Sequence, residues 1–117
     1  MLGEYELVAH DNSGQLAFTG TIKVQSVDQN HLKGRCLIKR EKSAPNGVLD
    51  NNTGCEALVD GKKVSFDLAP LTDDAGILLE GDFNGTQISG IWKLDGFVTS
   101  EPLGKFQAVQ TTFFRQN

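Results

Sequence analysis

Apolar and polar residues alternate along most of this chain. The period is two, the spacing that turns one row of side chains to each face of a β-strand. Gly3 to His10 sets Tyr5, Leu7 and Ala9 against Glu4 and Glu6, and Asp11-Asn12-Ser13-Gly14 follows as a turn cluster. Gln15 to Val24 alternates again, with Leu16, Phe18, Gly20, Ile22 and Val24 inward and Ala17, Thr19, Thr21 and Lys23 outward. A loop of four residues at 11–14 predicts Ala9 opposite Leu16, Leu7 opposite Phe18 and Tyr5 opposite Gly20. Val27 to Asn30 reads as a turn. His31 to Arg40 then places Leu32, Gly34, Cys36 and Ile38 on one face, and Lys33, Arg35, Leu37 and Lys39 on the other.

The strongest local signal is Leu78 to Gly96. Asn84-Gly85 suits the two positive-φ positions of a type I′ hairpin turn. Such a turn predicts Phe83 opposite Thr86, Gly81 opposite Ile88, Leu79 opposite Gly90 and Ile77 opposite Trp92, so that each inward glycine faces a bulky partner. Glu80, Asp82, Gln87, Ser89 and Lys93 form the solvent face. Upstream, residues 41–53 are the longest polar stretch and the expected mobile loop or lid. Gly54 to Asp60 reads as a short strand, Asp60-Gly61 as a hairpin turn, and Lys63 to Leu68 as a strand with Val64, Phe66 and Leu68 inward. Leu71 to Gly76 is an acidic turn, Phe97 to Gly104 a connection and Lys105 to Phe114 the last strand. No stretch has helical periodicity; residues 70–76 and 97–103 are the places where a short helix would fit.

Eight short strands joined in sequence predict an all-β fold, a single up-and-down antiparallel eight-stranded β-barrel formed by one domain over residues 1–117. Closure removes the exposed edges that invite aggregation. The inward glycines Gly20, Gly34, Gly81 and Gly90 allow the coiling that closure needs. An open two-sheet sandwich is the architectural alternative.

Composition narrows the partners. Seven Phe, one Trp and one Tyr supply a core, and thirteen Gly with three Pro suit many tight turns. A net charge of −4 with a pI near 5.0 argues against nucleic acid and against an anionic membrane surface. No apolar run approaches the roughly 20 residues of a membrane helix. The chain enters strand directly after Met1, without a signal-peptide pattern. That favours a cytoplasmic location, with the mature form of a secreted or periplasmic protein as the alternative. Monomer or weak homodimer is the expected state.

Candidate chemistry is sparse. Cys36 falls opposite Cys55 if Ala44 to Gly47 forms the loop between strands three and four, with Ser43 facing Val48. The pair then either forms a cross-strand disulfide or remains as two buried thiols, according to redox compartment. No metal site is expected, since there is no CxxC and the two His are far apart. His10 and His31 have no local nucleophile or orienting acid, and no nucleophile-elbow, Walker or dinucleotide fingerprint is present. An enzyme is therefore not expected, nor is a cofactor. Asp73-Asp74 and Glu80/Asp82 read as solvated carboxylates. The basic stripe Lys33, Arg35, Lys39, Arg40 and Lys42 reads as a charged exterior balanced by Glu41, Glu56 and Asp60. One of Phe113 and Phe114 must leave the core to cap an end or meet another subunit. Asn51-Asn52-Thr53 and Asn84-Gly85-Thr86 match the glycosylation pattern, which matters in a secreted protein.

The eight-strand pattern, the opening Gly3-Glu4-Tyr5 with Tyr in place of a Gly-x-Trp tryptophan, and the late Gly90-Ile91-Trp92 together resemble the calycins: lipocalins, fatty-acid-binding proteins and avidins. Arg115 is the candidate for the basic residue that caps the barrel floor in that group. No biotin-binding set is matched, so avidin-type binding is not implied. The resemblance implies a non-catalytic barrel that binds a small apolar molecule. Tyr5, Phe18, Phe66, Phe83, Trp92 and Phe106 are the inward residues expected to line such a site, with residues 41–53 gating its mouth. The second reading is a protein-interaction or inhibitor module with a filled core.

Overall fold

The computed structural model describes residues 2–42, 44, 51–68, 76–95 and 101–112. The strands are β1 (Gly3–Asp11), β2 (Leu16–Asp28), β3 (His31–Arg40), β4 (Asn51–Asp60), β5 (Lys63–Asp67), β6 (Gly76–Asn84), β7 (Gln87–Asp95) and β8 (Gly104–Thr112). Each pairs antiparallel with the next and β8 returns to β1, so the expected up-and-down sheet closes as an eight-stranded barrel. Among the described residues there is no helix.

Inward and outward faces follow the alternation, but the registers differ from the simple reading in instructive ways. Ala9 pairs with Phe18, Leu7 with Gly20 and Tyr5 with Ile22, two residues away from the expected partners. One of the two residues comes from a shorter loop, since His10 pairs with Leu16, and the other from a β-bulge beside Ala9 and His10, which leaves Ala17 as the extra residue and buries it next to Phe18. Ala17 was expected outside; a bulge puts two consecutive side chains against one partner and turns it in. The Asp11 carboxylate organises the loop below, accepting from the Ser13 hydroxyl (2.7 Å) and from the amides of Ser13 (2.9 Å) and Gln15 (3.0 Å). These bonds, the Ser13 hydroxyl first, hold its pKa below the usual carboxylate value.

The turns move by one residue for a common reason. The chain was expected to turn at Asn84-Gly85, yet Asn84 pairs with Gln87 and the two-residue loop is Gly85-Thr86. Likewise Asp60 pairs with Lys63, so Gly61-Lys62 is the loop rather than Asp60-Gly61. A type I′ turn needs positive φ at both central residues. Here only the first has it, at φ 68° for Gly85 and 63° for Gly61, which is the sign pattern of a type II′ turn with glycine first. The same pattern occurs at Gln29-Asn30, where Gln29 takes φ 57° without the licence of a glycine. β2 therefore runs on to Asp28 through a second bulge near Val24 and Ser26, and the expected turn at 27–30 contracts.

β4 starts at Asn51, which takes three residues out of the expected 41–53 loop. The remainder of that loop, with the Ser43–Val48 pairing, lies largely outside the described residues, as do residues 71–75, Phe113, Phe114 and Arg115.

Candidate functional site

Five of the six residues expected to line an interior site are in one cluster at the centre of the barrel: Tyr5, Phe18, Phe66, Trp92 and Phe106 are each at most 3 % exposed. Phe83, near the hairpin end of β6, is half-buried and packs on the edge of the cluster. The close fit is visible in individual contacts. The Trp92 ring meets Phe18 edge to face, with centroids 5.0 Å apart and planes at 79°. Its indole N–H donates to the His10 carbonyl at 2.8 Å, so the polar edge of the ring is satisfied within the wall. That bond runs past Gly104, where a Cβ would stand 2.6 Å from the indole nitrogen.

The glycines of the central hairpin work differently from the simple pairing. Gly81 and Gly90 face each other across β6 and β7 instead of each facing a bulky residue. The bulky partner comes from the neighbouring strand: Phe106 of β8 lies opposite Gly90, and a Cβ on Gly81 would meet its Cζ at 2.9 Å. The large-against-glycine principle holds, with the large residue supplied by barrel closure. Tyr5 sits in the same interior, and removal from water raises the pKa of its phenol.

Cys36 and Cys55 form a disulfide between β3 and β4, with Cα atoms 6.0 Å apart. They are not directly opposite as expected. Cys36 pairs with Thr53 and Cys55 with Gly34, so the bridge runs diagonally on the inward face. Both sulfurs are buried.

The grooves that can be described lie on the outside of the sheet and at the hairpin tips. One, of about 340 Å³, crosses β4, β5 and β6 and is lined by His31, Glu56, Ala57, Leu58, Ser65, Phe66, Asp67, Leu78, Leu79 and Glu80. A second, of about 300 Å³, adjoins it along β5 to β7 and shares Ser65 and Glu80. The registers show how the first arises. His31, Leu58, Ser65, Glu80 and Ile91 form one row across the outer face of β3 to β7, and Lys33, Glu56, Asp67, Leu78 and Lys93 form the next. Ser65 is the small member between Leu58 and Glu80, and the sheet surface dips over it. Leu58 is 60 % exposed, the most of any large hydrophobic among the described residues. The charges around the trough are partly tied down: Lys93 Nζ lies 2.9 Å from Glu80, and His31 Nε2 lies 3.6 Å from Glu56.

Among the described residues, neither histidine is joined to a nucleophile in hydrogen-bonding reach. His10 contributes its carbonyl to Trp92 and its side chain is exposed. Ser65 shares the groove with His31 and Glu56, yet it stands two strands from His31 with Leu58 between them. At about 4.8 Å per strand the hydroxyl is out of hydrogen-bonding reach of the imidazole. Among the described residues, no three His, Cys, Asp or Glu side chains gather closely enough to hold a metal ion. In the basic stripe, Arg35 donates to the backbone and side-chain oxygens of Asn52 at 3.3 and 3.2 Å, Arg40 donates to the Ala44 carbonyl at 2.7 Å, and Lys33 lies opposite Glu56.

The groove was not singled out from sequence. Its one readable signal is Leu58, an apolar residue that the parity of Cys55 and Ala57 sends outward between Glu56 and Asp60.

No family model matches this chain, and no curated protein matches it in sequence. Among solved structures it is similar to a redesigned β-barrel, at 11 % identity and a TM-score of 0.57, with 99 % of this chain and 91 % of that one covered. At that identity the likeness shows the fold: a small, closed, antiparallel β-barrel.

Proposed function

We propose that the protein is a non-catalytic binding module of calycin-like architecture whose recognition surface is the outside of the barrel, over β4 to β6. The observation that carries this reading is a contrast. The inward aromatics Tyr5, Phe18 and Trp92 are fully buried against one another and their neighbours, while Leu58 stands 60 % exposed beside a groove of about 340 Å³. A volume of that order is in the range of small-ligand sites, which run from about 300 to 1,000 Å³. The strand order, with Tyr5 in β1 and Trp92 in β7 both turned inward, supports the resemblance to calycins. The separation of Ser65 from His31 supports a binding role over a catalytic one. The disulfide favours an oxidising compartment over the cytoplasm.

A neutral polarity-sensitive dye such as Nile red tests the placement. Binding that is lost in Leu58→Asp, with Trp92 emission unchanged, supports an outer site. Binding that survives Leu58→Asp and quenches Trp92 assigns the ligand to the interior, the site implied by the resemblance.

A further inference from the structure

We propose that Asn84 is the residue of this chain that takes an N-linked glycan in a secretory compartment, and that the groove beside it seats the first sugar. The chain has two acceptor tripeptides, Asn51-Asn52-Thr53 and Asn84-Gly85-Thr86, and the fold treats them differently. Asn51 pairs with the buried Ile38 inside the β3–β4 ladder, and Thr53 pairs with Cys36 of the disulfide. Asn84, Gly85 and Thr86 instead close the β6–β7 hairpin, and all three are exposed. The tip is held in place, since the Gln110 amide donates to the Thr86 carbonyl at 2.8 Å. An asparagine glycan is bulky and belongs on a surface turn, which selects Asn84. The Cys36–Cys55 disulfide is the independent support, because the oxidising compartments in which such bonds persist include the lumen where these glycans are attached.

The step is a glycosyl transfer catalysed by an oligosaccharyl transferase of that compartment. The Asn84 side-chain nitrogen bonds to the anomeric carbon of a sugar carried as a lipid diphosphate. The bond from that carbon to the diphosphate oxygen breaks, and the diphosphate leaves with the electron pair. The nitrogen gives up one proton to a base of the transferase, and nothing is oxidised or reduced. Asn84 also lines a groove of about 570 Å³ at the hairpin ends, with Asp60, Lys62, Lys63, Asp82 and Phe83. The Phe83 amide donates to the Lys62 carbonyl at 2.7 Å, which fixes the two hairpins side by side. Phe83 is half-buried, so part of its ring meets water. A pyranose has an apolar C–H face and a rim of hydroxyls, the chemistry that covers such a ring and donates to carboxylates such as Asp60 and Asp82.

The test secretes the full chain from a eukaryotic cell behind a cleavable leader and reads intact mass and peptide masses. The expected product carries one glycan, which peptide-N-glycosidase removes while converting Asn84 to aspartate. Thr86→Ala should abolish the glycan and Asn51→Gln should leave it. Peptide masses of the unaltered chain assign the site by themselves, so the assignment does not depend on any variant folding. A secreted protein with no added mass, or one whose glycan maps to Asn51, overturns the acceptor assignment. For the seat, the urea midpoint of the glycosylated protein should exceed that of the enzymatically deglycosylated one, and Phe83→Leu should shrink the difference. Equal midpoints overturn the seat and leave the acceptor standing. None of these readouts involves ligand binding, so their failure is distinct from failure of the outer-surface reading.

Discussion

At the scale of single residues, this barrel is governed by how closely its walls approach. Gly90 is the sharpest case, because a Cβ there would strike the Glu80 carbonyl oxygen and come within 2.5 Å of Gly81 Cα. Both obstacles are backbone, so no rotamer change relieves them. Gly90→Ala should cost about 1–3 kcal/mol by overpacking, and shrinking Phe106 should not rescue it; urea unfolding of the single and double variants reads this out. Tyr5 offers a second residue-scale test, since it is the one tyrosine in the chain. Burial raises its pKa above the ordinary value, so the neutral phenol is the form that the fold favours. The corresponding stability is fully present below the unfolded-state pKa and is lost as pH rises through the folded one. Tyrosinate absorbance in the native protein should therefore appear at higher pH than in urea. Coincident titrations would show that the phenol is wetted.

At the scale of elements, turns and the cross-link set the pairing. Gln29 holds a left-handed conformation, φ 57°, at the β2–β3 turn, which costs an L-residue about 1–2 kcal/mol relative to glycine's freedom. Gln29→Gly should stabilise by about 0.5–1 kcal/mol once glycine's greater unfolded-state entropy is subtracted, measured as a rise in the urea midpoint at constant m. The Cys36–Cys55 bridge, at a sequence separation of 19, ties β3 to β4. By loop-closure reasoning its removal in a Cys36→Ser/Cys55→Ser double variant should cost about 3 kcal/mol. Thiol titration of the unfolded, unreduced protein should find none free. The bulge at Ala17, which turns that one side chain inward, and the positive-φ turns go with β1–β2, β4–β5 and β6–β7 registers shifted by two residues that leave the paired side chains on their expected faces. A shift of two preserves parity, which is why the inward list survives where the partner list does not.

At the scale of the molecule, closure is the event on which the core depends. Phe106 reaches over Gly90 and Gly81, and Gly104 admits the Trp92 indole to His10, only because β8 lies between β7 and β1. Gln107 of β8 points outward and pairs with Val8 on one side and Ser89 on the other, so its side chain adds little to the core while its backbone sits inside the ladder. Gln107→Pro should therefore destabilise strongly although it alters an exposed residue, because a proline cannot complete a central strand. The expected reading is a red shift of Trp92 emission at a lower denaturant concentration, coincident with the loss of far-ultraviolet circular dichroism, as one cooperative unit requires. Two separate transitions would mean that the sheet opens before it unfolds.

The alternation of the sequence was enough to assign eight strands, the inward aromatics and, Ala17 apart, the faces, because a period of two is a property of local covalent geometry. Closure was expected from the edges and the inward glycines, with an open sandwich as the alternative, and the structure decides for the barrel. Which residues meet was legible only in part. The partner of Gly90 is a phenylalanine from another hairpin, the cysteines join on a diagonal, and Ala17 is turned inward by a bulge; each depends on how far strands slip and coil once all eight compete for one interior. The outer groove was least visible of all. It arises from the juxtaposition of Leu58, Ser65 and Leu78 on three neighbouring strands, and no window along the chain contains a pairing that only the folded sheet creates.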